Sequence, residues 1–277
     1  VKGTNASGYS TNGGRSWTPF AASSGGATGG TIAVSNSSQI VVAHGQNRWP
    51  KYSANGGASW SDCVFSGITR IADGTENGFG YGATETRRHI LCADKDAAGT
   101  FYIYNYGPSG VTALRGLWKS TDGGANWTQI SSSSIIPAIT AGFHAVLCCV
   151  EGDLYLTTGD ANSWFTNDSA NTPVMRSTDG GVSWTTIPGI TEALIAFGKA
   201  PVGGTYPTMY MIGWYGGVYG LFRSYDKGAT IEALTTYTHL DQPWAPAADH
   251  TRFGRVVVGF SGTGWRERVY DYKMRLG

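Results

Sequence analysis

The sequence predicts an all-β fold, a β-propeller of about six four-stranded blades, and three observations carry that prediction. One hairpin signature recurs five times, glycine reaches 41 of 277 residues against a usual share of about 7%, and short alternating strands fill the intervals. Seven blades are the alternative, with part of the sequence missing.

The signature reads Ser10-Thr-Asn-Gly-Gly-Arg-Ser-Trp17, Ser53-Ala-Asn-Gly-Gly-Ala-Ser-Trp60, Ser120-Thr-Asp-Gly-Gly-Ala-Asn-Trp127 and Ser177-Thr-Asp-Gly-Gly-Val-Ser-Trp184. A degenerate fifth copy is Ser224-Tyr-Asp-Lys-Gly-Ala-Thr-Ile231. Successive copies start 43 to 67 residues apart, the length of a four-stranded blade with a variable loop. Asp or Asn at the third place accepts hydrogen bonds from the N–H groups that follow, and the glycines take positive φ. The tryptophan anchors the returning strand. The pattern resembles the Asp-box, or BNR repeat, which joins the third and fourth strands of propeller blades in sialidases and other proteins. Asn12, Asn55, Asp122, Asp179 and Asp226 are therefore turn residues, since a carboxylate that holds a turn is not free to transfer protons.

Alternation and β-branched or aromatic content place strand pairs at Thr31 to Ser35 with Ile40 to Ala43, His89 to Ala93 with Thr100 to Tyr104, and His144 to Val150 with Leu154 to Thr158. Further strands follow at Leu194 to Phe197, Met209 to Gly213, Arg255 to Phe260 and Arg268 to Tyr272. The first twenty residues supply only the last strands of a blade, so the simplest closure joins the two chain ends. The whole of 1–277 reads as one propeller domain, either complete or a piece of a larger two-propeller protein.

Charged residues make up 14% of the chain and the formal net charge is +1, so neither nucleic acid nor an anionic membrane is favoured as a partner. A neutral ligand fits better. No apolar run is long enough to span a bilayer as a helix. Cys63, Cys92, Cys148 and Cys149 show no metal-ligand spacing and read as buried thiols, with the adjacent pair on opposite faces of one strand. No metal and no organic cofactor is implied. Asn5, Asn36, Asn126 and Asn167 begin sequons that lend mild support to secretion.

With the signature between strands three and four, the connections between strands two and three, and between blades, emerge at the opposite end. There the sequence collects Trp49, Tyr106, Trp164, Trp214, Tyr215, Asp241, Trp244 and Trp265. Aromatic platforms beside hydrogen-bonding groups suit the flat apolar faces and polar rims of sugars. The ordinary alternative for each ring is packing beneath a neighbouring loop. The inter-blade loop 66–88 adds Asp73, Glu76, Glu85, Arg87 and Arg88.

Longer stretches carry a more specific likeness. Glu192-Ala-Leu-Ile-Ala-Phe-Gly-Lys-Ala200, Thr205-Tyr-Pro207, Gly216-Gly-Val-Tyr-Gly-Leu-Phe-Arg-Ser224 and Phe253-Gly-Arg-Val-Val-Val-Gly259 resemble the C-terminal propeller of glycoside hydrolase family 74, the xyloglucanases. Gly30-Thr-Ile-Ala-Val-Ser35 fits as well. The resemblance implies a two-propeller enzyme that cleaves the β-1,4-glucan backbone of xyloglucan with inversion, one aspartate acting as acid and another as base. In the second propeller that aspartate belongs to a Gly-Asp-x-Gly-Gly loop. No such loop occurs in these 277 residues, because Gly152-Asp153 and Gly159-Asp160 lack the glycine pair. The catalytic residues are accordingly unknown. The implied partner is a neutral polysaccharide, a β-glucan or xyloglucan, with a second propeller or like subunits supplying what this chain lacks. A non-catalytic, lectin-like or structural module of an extracellular assembly is the alternative.

Overall fold

The computed structural model describes residues 8–23, 29–45, 47–75, 77–79, 89–105, 107, 111–132, 145–150, 152–158, 173–236, 243–260 and 265–269. Among these, regular structure consists of strands and one 3-10 turn. Contacts divide the chain into two compact units, Val1–Leu154 with Ser177–Trp184, and Tyr155–Arg176 with Thr185–Gly277.

In the first unit, β1 (Gly8–Tyr9) and β2 (Thr18–Pro19) pair around the first signature turn. A four-stranded antiparallel meander follows, made of β3 (Gly30–Val34), β4 (Ile40–His44), β5 (Lys51–Ser53) and β6 (Ser61–Asp62). Next comes β7 (Val64–Phe65), which leaves that meander and lies parallel to the outer strand of the next. That second meander is β8 (Leu91–Ala93), β9 (Phe101–Asn105), β10 (Gly116–Ser120) and β11 (Asn126–Ser131). β12 (Ala145–Val150) closes the unit's strand list. Strands β4 and β9 are buried at every residue, which is why Ile40-Val41-Val42-Ala43 reads as a continuous apolar run while β3 alternates.

From β13 (Asp153–Thr158) the chain enters the second unit, where β14 (Pro173–Ser177), β15 (Thr185–Gly198), β16 (Thr208–Tyr215), β17 (Val218–Ser224) and β18 (Glu232–Thr236) follow one another in sheet order. β19 (Pro243–Ala248), β20 (Arg255–Phe260) and β21 (Trp265–Val269) form a three-stranded sheet. The 14-residue β15 pairs first with β14 and then with β16, so it serves as the last strand of one meander and the first of the next. The change of partner falls at a bulge between Thr191 and Leu194, where Glu192 takes a left-handed φ of 52°.

The expected strand pairs are present, with Thr31 opposite Ala43 and Cys92 opposite Tyr102. Of the strand expected at Arg268 to Tyr272, residues 268 and 269 end β21, which begins earlier, at Trp265, and residues 270–272 lie outside the described residues. β1–β2 form a two-stranded sheet and β19–β21 a three-stranded one; residues 1–7 and 270–277, on which the expected joining of the chain ends depends, lie outside the described residues.

Each signature copy builds the same turn between two strands. In the second, Ser53 Oγ donates to Asn55 Oδ1 at 3.0 Å and accepts the Gly57 N–H at 2.8 Å, while Asn55 Oδ1 accepts the Ser59 N–H at 2.9 Å. Ser120 with Asp122, Ser177 with Asp179 and Ser224 with Asp226 repeat the arrangement. The second glycine is required twice over. Its φ is positive, from 85° to 95° across the five copies, and a neighbouring side chain leaves no room for a Cβ at four of them. At Gly124 that atom would stand 2.2 Å from Val41 Cγ2, and at Gly181 2.1 Å from Leu117 Cδ2.

Candidate functional site

The turns occupy one end of each meander, and the strand register fixes what lies at the other. In the pair β16–β17, Met209 is opposite Ser224 and Tyr215 is opposite Val218. Ser224 starts the fifth signature turn, so Tyr215 and Trp214 sit at the far end of β16, roughly 20 Å away at strand rise. A two-residue tip, Gly216 and Gly217 with φ of 59° and 80°, joins the strands there, the left-handed geometry a tight hairpin needs. Nothing lies within 4 Å of a Cβ built on either tip glycine.

Both rings at this end are half-buried. Trp214 meets Tyr219 edge-on, with centroids 5.4 Å apart, and Tyr215 meets Phe222 at 5.6 Å. Successive residues of a strand face opposite sides of its sheet, so Trp214 and Tyr215 cannot form one continuous platform. Both rings nevertheless stand at the end of β16 where the sequence expects them, remote from the signature turn. Trp214 shares its side with Ile212 and, across the ladder, Tyr219 and Leu221.

Trp49 is a correction. It exposes 1% of its surface, and its indole N–H donates to the Cys63 carbonyl at 2.7 Å. It packs edge-on against Phe65 and Phe79 at 5.4 and 5.6 Å, within a buried aromatic group that includes Trp118 and Trp127. Two rings contributed from distant sequence remove it from any ligand. Trp244 and Trp265 fall in β19 and β21, with their side chains outside the described residues, and Tyr106, Trp164 and Asp241 lie outside them altogether.

Sequence reading missed a charged chain at the same end of the first meander. Lys51 and Asp62 are opposite each other in the register, and Lys51 Nζ donates to Asp62 Oδ1 at 2.5 Å. Arg70 donates through Nε to Asp62 at 2.7 Å and through Nη2 to Asp73 at 3.1 Å. Asp73 also accepts the Trp49 backbone N–H, and Arg48 lies 3.9 Å from its carboxylate. Burial pushes the Asp62 carboxyl up, but Lys51 and Arg70 outweigh it and hold the group below the usual range. Two carboxylates clamped by cations in this way are a loop fastening, not an acid and base awaiting a glycosidic oxygen. The opposed charges at 62, 70 and 73 were the only sequence signal for it.

The signature carboxylates are also engaged. Burial raises Asp122 and Asp226, but donors from Asn126 and Thr230 dominate and lower both. Ser183, through its hydroxyl and its N–H, holds Asp179 far below the usual range. Among the described residues no three His, Cys, Asp or Glu side chains cluster as a metal site would require, and no helix is long and apolar enough to cross a membrane. Cys63 is a buried thiol whose pKa is raised by that burial, and Cys92 is half-buried; the Cys148 and Cys149 side chains lie outside the described residues.

Antiparallel meanders that turn through a repeated signature between their third and fourth strands, as β3–β6, β8–β11 and β15–β18 do, define the chain as a β-propeller protein. No protein-family model matches it. A xyloglucanase of a Paenibacillus species is 27% identical over 260 residues, which cover 93% of this chain and 22% of that protein. A probable oligoxyloglucan-reducing end-specific xyloglucanase of Neosartorya fischeri is 25% identical over 92% of this chain and 30% of its own length. Among solved structures, the family 74 glycoside hydrolase of Niastella koreensis superposes with a TM-score of 0.68 at 26% identity, covering 97% of this chain and 34% of the other. The family 74 xyloglucanase of Xanthomonas campestris gives 0.62 at 22% identity, over 94% of this chain and 32% of that one, a likeness of fold. The chain is thus similar, in sequence and in fold, to propellers of glycoside hydrolase family 74 enzymes. It spans between 22% and 34% of the length of these relatives.

Proposed function

We propose that this chain is a secreted propeller that recognises xyloglucan or a closely related neutral β-glucan at the end of its sheets opposite the signature turns. The observation that carries the reading is the half-exposed Trp214 beside an unobstructed Gly216–Gly217 tip, at the end of β16 remote from the fifth turn. A sugar ring laid on the exposed part of the indole replaces water on two apolar faces at once. The net charge of +1 suits an uncharged polymer. In this reading Trp244 and Trp265 extend the binding surface, and Tyr215 braces the hairpin through Phe222.

Binding without cutting is the activity assigned to the chain by itself. Support comes from the missing Gly-Asp-x-Gly-Gly loop and, among the described residues, from Asp62, Asp73, Asp122, Asp179 and Asp226, which are engaged by donors or cations, whereas inverting hydrolysis needs one carboxyl that keeps its proton and another free to activate water. Hydrolysis requires carboxylates from sequence or a partner outside these 277 residues. Isothermal titration with xyloglucan oligosaccharides tests the reading: Trp214→Ala should weaken binding about fivefold, the effect of losing a contact of about 1 kcal/mol. Unchanged binding in Trp214→Ala, Trp244→Ala and Trp265→Ala would show that the ligand face lies elsewhere. Release of reducing sugar by the purified chain would overturn the binding-only assignment, and recovery of the protein from cells rather than medium would overturn secretion.

A further inference from the structure

Asparagine followed by glycine is the step of a polypeptide most open to ring closure, because glycine sets no Cβ in the path of its own nitrogen. The sequence holds three such steps, Asn12-Gly13, Asn55-Gly56 and Asn77-Gly78. Asn77 is fully buried, and its side chain accepts the Phe79 N–H and donates to the Asn47 carbonyl. The other two stand at the same place in the first and second signature turns, and both asparagines are exposed.

Side-chain geometry is the same in these two turns. Asn12 Oδ1 accepts the Ser10 hydroxyl at 2.9 Å and the Ser16 N–H at 3.0 Å, while Nδ2 donates to Ser16 Oγ at 2.7 Å. Asn55 makes the equivalent bonds to Ser53 and Ser59 at 3.0, 2.9 and 2.8 Å. Two donors on Oδ1 polarise the amide and stabilise the charge that gathers there when a nucleophile adds to Cγ. The main chain differs. The Gly56 N–H donates to the Ser38 carbonyl at 2.9 Å, and a Cβ on Gly56 would stand 2.9 Å from the Ser37 carbonyl oxygen. The third turn repeats that fastening, with the Gly123 N–H on the Gly99 carbonyl at 3.0 Å. At Gly13 no such bond forms among the described residues, and nothing lies within 4 Å of a built Cβ.

We infer that Asn12 is a self-modifying site, converted by water in the folded protein to aspartate and isoaspartate, and that the bond from Gly56 to Ser38 spares Asn55. The Gly13 nitrogen gives up its proton and bonds to Asn12 Cγ. The Cγ–Nδ2 bond breaks, and ammonia leaves with that proton, so a five-membered imide remains. Water then opens the imide at Cγ, giving aspartate, or at the main-chain carbonyl, giving isoaspartate with the chain running through Cγ. Gly56 must first surrender its bond to Ser38, and its nitrogen therefore attacks more slowly. The aspartate product fits the turn, since Asp179 occupies the same place and accepts the Ser183 N–H and hydroxyl. Isoaspartate does not, because its additional main-chain carbon lengthens the path from Ser10 to Gly14, which the Ser10 hydroxyl closes by accepting the Gly14 N–H at 2.8 Å.

The test ages the folded 277-residue chain in mildly alkaline buffer and follows its tryptic peptides by mass spectrometry. The peptide of residues 3–15 should gain about 1 Da, with fragmentation placing the change at Asn12 and chromatography separating aspartate from isoaspartate forms. Its conversion should run at least about fivefold faster than that of the peptide of residues 52–70, the effect of one backbone hydrogen bond. An isoaspartate methyltransferase should label the first peptide and not the second. In urea, where the Ser38 bond is gone, the two sites should react at similar rates. Asn12→Asp should abolish the mass gain and leave thermal unfolding unchanged. Equal rates in the folded chain, a faster reaction at Asn55, or an Asn12 that reacts in urea and stays intact in the folded chain would each overturn the inference.

Discussion

Lys227 Nζ lies 4.4 Å from the centroid of the Tyr206 ring, and Lys227 itself stands in a left-handed backbone position with φ 64° that glycine holds in the other four signature turns. The Tyr206 hydroxyl shares a hydrogen bond with the Tyr155 hydroxyl at 2.9 Å, so the ring is fixed before the ammonium reaches it. A side chain in that backbone region costs on the order of 1 kcal/mol, and a cation over a fixed ring returns about 0.5–1 kcal/mol. Lys227→Gly should therefore stay within about 0.5 kcal/mol of the parent in urea unfolding, whereas Lys227→Ala keeps the strain, loses the contact and should fall by about 1 kcal/mol. A large gain in Lys227→Gly would mean that the ring contact contributes nothing.

The second signature glycine allows a paired test. Gly124→Ala drives a methyl group to 2.2 Å from Val41 Cγ2 and adds strain at φ 94°, so it should cost about 3 kcal/mol or more. Gly14→Ala meets the strain alone, because the nearest atom is 3.8 Å away, and should cost about 1–2 kcal/mol. Chemical denaturation of both variants reads the difference, and equal losses would show that turn conformation, not crowding, sets the requirement.

Acid should loosen the turns in a defined window. Hydrogen bonds hold Asp122, Asp179 and Asp226 below the ordinary aspartate value, so protonation is harder in the folded chain than in the unfolded one. Their contribution is complete above the unfolded value of about 3.9 and is lost as pH falls through the folded values beneath it. Thermal unfolding followed from pH 6 to pH 2 should drop most steeply below about pH 4, and Asp179→Asn should flatten that limb. At neutral pH Asp179→Asn should be nearly silent, since the Ser183 hydroxyl can accept from an amide just as Ser59 accepts from Asn55. Asp122→Asn should cost about 1 kcal/mol, because its partner is the Asn126 amide, which must turn over before it can accept.

Trp49 and Trp214 should separate in stability as sharply as they do in burial. Trp49→Ala empties a site closed by Phe65 and Phe79 and should cost about 3–5 kcal/mol, while Trp214→Ala, half-exposed, should cost distinctly less. Similar losses in a thermal melt would place Trp214 in the core.

The contrast between these two tryptophans also marks what the sequence could disclose. The signature turns were readable because each closes on itself within eight residues, through Ser, Asp or Asn and glycine that need no distant partner. The meander strands were readable because burial on one or both faces writes alternation or a continuous apolar run. Trp49 was not readable, because its environment is assembled by Phe65 and Phe79 across a loop whose path no local pattern specifies. β7 escaped for the same reason, as two residues paired in parallel to a strand more than sixty positions away. The opposed orientations of Trp214 and Tyr215 followed from strand alternation and could have been drawn from the sequence once β16 was known to run through Tyr215.

The 14-residue β15 has a bearing on how such a chain can change by recombination. Between β7 and β8 a long stretch separates one meander from the next, so a cut there divides no strand, although it severs β7 from the meander whose β11 it pairs with. Across Thr191 there is no such seam. Any crossover between Thr185 and Gly198 divides a strand that two meanders share, and a change of one residue at the Glu192 bulge would exchange the inward and outward faces of everything downstream in that strand. A break in β15 therefore damages two meanders at once, the one that carries the fourth signature turn and the one that carries the Trp214 hairpin.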